Sequence, residues 1–260
     1  MQVPPDPPGL QRPVIFDQLW CDLAFLHWPV DPAAIARFFP SGSRPDVVDG
    51  VSYVGLVPFR MRRAGVLRNR PIPYLGDFLE VNVRLYSVDE HGRHGVVFRS
   101  LDCDRSVVVT AARAIGVPYR NAAIQAAGYP AVEGHRIADM ALGSRRWWTV
   151  RRRSGAHARI GVQVGAPVHP TELEVFLTAR WGMHSQLAGL GLWTPNEHPA
   201  WTLHEAEVTE LEENLVAAAG IQPAGPMLRP LWSPGVRARF GLPHRVRRPL
   251  SLPRQPWLVD

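Results

Sequence analysis

Residues 78 to 88 alternate between apolar and polar positions. Leu79, Val81, Val83 and Leu85 point one way, and Glu80, Asn82, Arg84 and Tyr86 point the other. That period of two predicts a strand. A polar turn, Asp89 to His94, leads into a second strand from Gly95 to Leu101, and the pair reads as a hairpin. Val51 to Met61 is apolar and β-prone, which predicts a buried strand. Trp147 to Arg153 and Arg159 to Val164 read as another strand pair, and Trp201 to Val208 as a further strand.

Helical spacing is rarer. Asp31 to Phe39 predicts a short helix, with Asp31 as N-cap, Pro32 at the first helical position and Pro40 as the stop. Asp104 is placed to cap a helix from Arg105 to Ile115, although the β-branched run Val107 to Thr110 weakens it. Thr171-Glu172-Leu173-Glu174 has the spacing of a capping box, with Leu173, Phe176 and Leu177 on one apolar face. Thr209-Glu210-Leu211-Glu212 repeats that spacing. It predicts a helix with Leu211, Leu215, Val216 and Ala219 inward and Gly220 as its C-terminal stop. Beyond Gly220 the chain is rich in Pro and Arg and reads as thinly structured.

Many strands with few short helices predict a mainly β (α+β) fold, a barrel or a sandwich. Residues 1 to 13 carry five prolines and read as a disordered lead-in. Residues 14 to 246 read as one domain, and 247 to 260 as an Arg- and Pro-rich tail. With 260 residues, 46% of them apolar, the chain can bury a core without staples. No apolar run reaches the length of a membrane span. The start of the sequence lacks the basic and apolar parts of a secretory signal, so the expected location is the cytoplasm.

The chain contains no lysine, so all 29 of its Lys and Arg residues are arginine. Imine catalysis from a side chain is therefore excluded. Cys21 and Cys103 read as reduced, buried thiols. Gly50 to Gly55 is one residue too long for a nucleophile elbow. Gly189-Leu190-Gly191 lacks the third glycine of a dinucleotide loop. His91 and His94 in a turn favour solvated side chains over a metal site. The formal charge of +6 is modest. Seven arginines after Leu228, spread among prolines, favour a solvated or partner-docking tail over nucleic-acid binding.

The polar side of residues 80 to 86 allows two readings. Facing outward, Glu80, Asn82, Arg84 and Tyr86 are solvated. Facing inward, they form a polar pocket floor, in which burial raises the carboxyl pKa and arginine lowers it. Such a carboxyl moves protons, and an inward arginine holds a carboxylate.

Several segments together resemble the YqjF-like family of uncharacterised proteins. They include Phe25-Leu26-His27-Trp28-Pro29-Val30, Val57-Pro58-Phe59-Arg60-Met61, Phe78 to Tyr86, Val97 to Asp102, Phe176 to Trp181, His198-Pro199-Ala200-Trp201 and Leu231 to Val236. That family is similar in turn to the acetoacetate-decarboxylase-like superfamily. The resemblance implies a β-cone or double barrel around an enclosed pocket, with Glu80 pointing inward. It also aligns Ala112 to Ala122 with the superfamily's reactive-lysine motif, so that Tyr119 and Arg120 stand where two lysines would be. Schiff-base decarboxylation therefore does not carry over.

The leading expectation is a pocket for a carboxylate or carbonyl compound, with Glu80 moving protons and Asn82, Arg113, Tyr119 and Arg120 binding the ligand. No cofactor, metal, nucleic acid or membrane is expected, and a homo-oligomer is compatible with the nine tryptophans. If the protein is an enzyme, its chemistry is lyase-, hydratase- or isomerase-like, without a covalent lysine intermediate. The alternative is a non-catalytic binding or interaction protein on the same fold.

Overall fold

The computed structural model describes residues 3–10, 13–66, 70–71, 76–128 and 142–246. Its strands are β1 (Phe16–Val30), β2 (Ser43–Pro45), β3 (Ser52–Val66), β4 (Arg70–Pro71), β5 (Phe78–Asp89), β6 (His94–Cys103), β7 (Tyr119–Asn121) and β8 (Ala123–Ala127). They continue as β9 (Arg145–Arg151), β10 (His157–Pro167), β11 (Gly182–Leu187), β12 (Leu190–Glu197), β13 (His204–Glu213), β14 (Leu231–Phe240) and β15 (His244–Arg245). The helices are short: α1 (Pro32–Ile35), α2 (Ser106–Ala114), α3 (Glu172–Thr178) and α4 (Leu215–Ala218).

The strands run in the order β12, β11, β6, β5, β3, β1, β14, and β14 pairs back to β12. Two residue pairs, Asn196–Phe240 and Glu197–Arg239, close this ring. From β14 the sheet continues through β13, β10, β9 and β8. Because β5 is central, both of its faces are covered. Val81, Val83 and Leu85 join Leu26, Leu56, Trp148, Val150, Ile160 and Trp232 in one core. On the other side lie Phe25, Val57, Phe59, Cys103, Leu203 and Leu231, and beyond them Tyr53, Tyr86, Phe176 and Trp181. The alternation of β5 is thus real, but it separates two interiors rather than inside from outside.

The Asp31 helix forms as expected, capped by a bond from Ala33 N to Asp31 Oδ1 and ending in a 3-10 turn over Ala36–Phe38. The Thr171 capping box is present, with Glu174 N at 3.3 Å from Thr171 Oγ1 and Thr171 N at 2.8 Å from Glu174 Oε2. Thr171→Ala is expected to cost about 1 kcal/mol in chemical denaturation, and Thr171→Ser to restore most of it.

Three expectations are corrected. Asp104 does not cap α2, whose N-cap is Arg105; Asp104 Oδ1 instead accepts from Leu79 N and ties the helix approach to β5. The second capping box is strand. β13 runs through Thr209 to Glu212 because it pairs with β10, where Arg159 meets Glu210 at 3.0 Å. Leu211 is consequently exposed, and only Leu215, Val216 and Ala219 turn inward, around α4 and up to Gly220. Finally, the region after Gly220 is not thinly structured, since β14 is a central strand between β1 and β13. Its Pro234 and Gly235 disguise it in the sequence.

Val3 is buried, Pro4 O accepts from Trp181 Nε1, and Glu197 accepts from Leu10 N. The tail from 247 to 260 lies outside the described residues. No helix among the described residues is long and apolar enough to cross a membrane.

Candidate functional site

The end of α2 sets the position of Tyr119. Gly116 adopts φ +83°, which glycine tolerates without strain. Its N–H bonds to Arg113 O, and that of Val117 reaches back to Ala112 O. This pairing is the Schellman stop of a helix. A tight turn follows, with Tyr119 N bonded to Val117 O, and Leu101 N bonds to Pro118 O. β7 then runs parallel to β6, pairing Tyr119 with Leu101 and Arg120 with Asp102. Neighbours in a strand face opposite ways. Tyr119 therefore packs on the interior cluster with Phe25 and Phe59, while Arg120 is exposed.

Inside, the Tyr119 hydroxyl donates to Glu80 Oε2 at 2.7 Å. Glu80 is 2% exposed, and Phe59 and Cys103 are its cross-strand partners. Burial pushes its carboxyl up to about 7, against the pull of the Tyr119 phenol and the Asn82 amide. The Tyr119 phenol is held well above its usual range by burial and by the Glu80 charge, so it stays a neutral donor. Asn82 is buried, and its Oδ1 has no hydrogen-bond partner. A buried orphan acceptor is rare and calls for a partner.

The raised carboxyl has a measurable consequence. Glu80 moves from 4.5 to about 7 on folding. Between those values the folded protein keeps a proton that the unfolded chain releases. Stability therefore falls as pH rises through that window, by about 3 kcal/mol in all. Burial lowers His184, and it pushes His198 down to about 4. These histidines give the opposite slope, but in wild type and variant alike. The difference between wild type and Glu80→Gln in denaturant midpoint, at pH 5 and pH 8, isolates Glu80. Parallel profiles would remove the raised carboxyl.

Further along β5, Arg84 is buried at 9% exposure. It donates to Tyr86 Oη and Leu177 O and lies over the Phe25 ring at 5.5 Å. No carboxylate among the described residues forms an ion pair with it. Tyr86 Oη meets His27 Nε2 at 2.6 Å. Gly55 makes room for that bond, since a Cβ there would lie 3.0 Å from Tyr86 Oη and 3.1 Å from His27 Cδ2. Burial and the nearby Arg84 and Arg180 charges lower His27 well below its usual range, so its ring is neutral.

Of the residues expected at the site, Glu80, Asn82 and Tyr119 come together. Arg113, in the last turn of α2, and Arg120 do not join them; both are exposed. Arg84 is the buried guanidinium on this face.

Other polar clusters brace the fold. Ser87 Oγ, His184 and Asp89 line up at 2.8 and 3.2 Å, in the order of a hydrolytic triad. Ser87 is fully buried, however, and Asp89 is bound by Arg93. Arg152 clamps Asp102 with two bonds of 2.6 Å. His94 bonds Asp46 instead of sharing a ligand with His91. Cys21 and Cys103 are free thiols, pushed by burial up to about 11 and about 12. No cluster of three or more His, Cys, Asp or Glu suited to a metal occurs among the described residues. A separate cleft of about 290 Å³ opens between the 3-10 turn, β6 and β11. Glu80, Asn82 and Tyr119 do not line it.

Several known proteins are similar to this chain. The uncharacterized protein YqjF of Bacillus subtilis (strain 168) is 26% identical over 211 residues, covering 79% of this chain and 81% of its own length. Among solved structures, the enduracididine biosynthesis enzyme MppR complexed with pyruvate superposes with a TM-score of 0.66 at 14% identity, over 92% of this chain and 93% of its own. An acetoacetate decarboxylase-like enzyme from Sphingomonas wittichii RW1 gives a TM-score of 0.60 at 15% identity, over 92% and 97%. The acetoacetate decarboxylase of Legionella pneumophila also gives 0.60, at 11% identity and over 92% of each chain. The fold is thus that of the acetoacetate decarboxylases and their relatives. Residues 17–237 match DUF2071, and the chain belongs to that family of uncharacterized conserved proteins.

Proposed function

We propose that the interior face of β5 binds a small carbonyl-bearing carboxylate and that Glu80 moves a proton on it. The observation that carries this reading is a buried carboxyl whose pKa is about 7, beside a neutral phenol. A group poised there gives and takes protons at neutral pH. With no lysine in the chain, a side-chain imine is excluded. The chemistry is then non-covalent: enolisation, hydration or dehydration next to a carbonyl. Glu80 accepts the proton from carbon, the electron pair moves onto the carbonyl oxygen, and the proton returns at another atom.

Arg84, not Arg113 or Arg120, holds the carboxylate head in this reading. Glu80 and Arg84 are four residues apart on one face, roughly 13 Å between Cα atoms. Their heads point towards Tyr119 and Tyr86, respectively. That spacing favours an oxo acid longer than pyruvate, the ligand named for one MppR complex. Asn82 Oδ1 lies between them in sequence as a free acceptor for a hydroxyl or amine.

The test is a panel of oxo acids of increasing length, screened by thermal shift. Solvent deuterium exchange at the carbon next to the carbonyl is then followed by NMR. Glu80→Gln is expected to slow exchange about 100-fold or more with binding kept. Arg84→Met is expected to abolish the thermal shift. Unchanged exchange in Glu80→Gln would end the assignment. One observation favours a second reading: Tyr119 already occupies one oxygen of Glu80. A thermal shift without exchange would make the protein a ligand-binding member of the fold.

A further inference from the structure

The cleft between the 3-10 turn, β6 and β11 combines apolar walls with positive charge. Phe38, Phe98, Val117 and Met183 are among its apolar walls. Among the described residues that line it, Arg37 and Arg99 carry charge, His184 is the one other titratable group, and there is no Asp or Glu. Both guanidiniums lie against one ring, at 4.7 Å (Arg37) and 3.7 Å (Arg99) from the Phe38 centroid. Arg99 also points Nε and Nη2 at Ala219 O, at 3.4 and 3.3 Å, which fixes its plane. Neither arginine forms an ion pair among the described residues. Arg120 adds a third charge nearby. Burial first, and then the Arg120 and Arg37 charges, lower the Arg99 pKa. A guanidinium stacked on an aromatic ring keeps its in-plane donors; with the Nε–Nη2 edge of Arg99 on Ala219 O, its Nη1 side is left for an oxyanion.

We propose that this cleft is a second ligand site, for an amphipathic anion with a carboxylate or phosphate head and an apolar or aromatic body. The head bonds Arg37 and Arg99, with Arg120 adding longer-range attraction. The body lies against Phe98, Val117 and Met183. The size suits a small metabolite: about 290 Å³ is at the lower edge of ordinary ligand pockets. Gly116 keeps the cleft lip close, because a Cβ there would sit 2.8 Å from Gln186 O. The site is independent of Glu80, so it stands or falls separately from the reading above.

The experiment is calorimetric titration of the full chain with phenyl phosphate, beside inorganic phosphate and phenol. Phenyl phosphate is expected to bind saturably at one equivalent, more tightly than either fragment, and more weakly at high salt. Arg37→Gln, at an exposed position, is expected to weaken binding about tenfold, the loss of one charge-assisted bond. Arg99→Gln is expected to do so at least as strongly, with its melting temperature measured alongside. Glu80→Gln is expected to leave the affinity unchanged. No saturable binding up to about 10 mM would overturn the proposal. So would equal affinity for inorganic phosphate, or loss of binding in Glu80→Gln with Arg37→Gln unaffected.

Discussion

Asp46→Ala is expected to destabilise the protein by about 3–5 kcal/mol, the cost of stranding a buried charge. Asp46 follows β2 and is 5% exposed. Its carboxylate accepts from Arg180 Nη1 and from His94 Nδ1, the latter at 2.7 Å. Burial alone would raise its pKa, but His94 and Arg180 outweigh burial and hold it low. Arg180 is 3% exposed, stacked over Phe176 at 4.0 Å and Tyr86 at 4.8 Å, with Nε bonded to Phe176 O. Without Asp46 that buried guanidinium has no ion-pair partner among the described residues. The melting temperature should fall by roughly 10 °C in a chain of this size. The double variant Asp46→Ala/Arg180→Met should recover most of the loss, because an apolar replacement of both partners is near neutral. A single variant within about 1 kcal/mol of wild type would show that Arg180 finds water after all.

Gly235→Ala should be about as damaging, for a different reason. Gly235 sits in β14 opposite Cys21 of β1, at φ +120°. A Cβ there would lie 1.8 Å from Trp20 O and 2.8 Å from Cys21 Cα. Both contacts are with backbone, so no side chain can swing aside. β1 is already distorted at this point, with Asp22 at φ +53° and its carboxylate on Arg146 Nε at 3.2 Å. Backbone strain and overpacking together are expected to cost about 4 kcal/mol or more. Gly155→Ala is the matched control. Its φ is +88°, with nothing within 4 Å of a built Cβ, so only the conformational term of about 1–2 kcal/mol remains. Urea midpoints of the two variants measure the contrast. Equal losses would mean that β1 and β14 separate more easily than their register suggests.

The parts of the fold legible in the sequence were those in which local and tertiary preferences agree. β5 shows its alternation and α3 its capping box, and both formed. The Thr209 to Glu212 spacing misled because it carries a helix-start pattern, while pairing with β10 provides a ladder and an Arg159–Glu210 contact that one helical turn cannot match. β14 was hidden by Pro234 and Gly235, residues that usually mark a loop. Here the glycine is what lets two central strands approach. At the candidate site, Glu80, Asn82 and Tyr119 were legible from one strand and one motif. Arg120 is exposed because neighbours in β7 face opposite ways, so Tyr119 turns in and Arg120 out. The place proposed for Arg84 needed a three-dimensional fact, its burial with no acid partner among the described residues.

The pairing of β1 with β14 also shapes how the chain is made. Phe25 meets Leu231, and Phe16 meets Phe240, across almost the whole domain. At ordinary elongation speeds the ribosome needs roughly 10 to 40 s to deliver β14 after β1 has emerged. During that time β3 can zip onto one edge of β1, while the other edge, with Phe25 and Leu23 beside it, stays open. Such an edge invites wrong partners. Production in cells should therefore benefit from a holding chaperone that covers the open edge until β14 arrives. Moving the chain break to another loop, with residues 16 and 240 joined by a linker, would let the two strands emerge together.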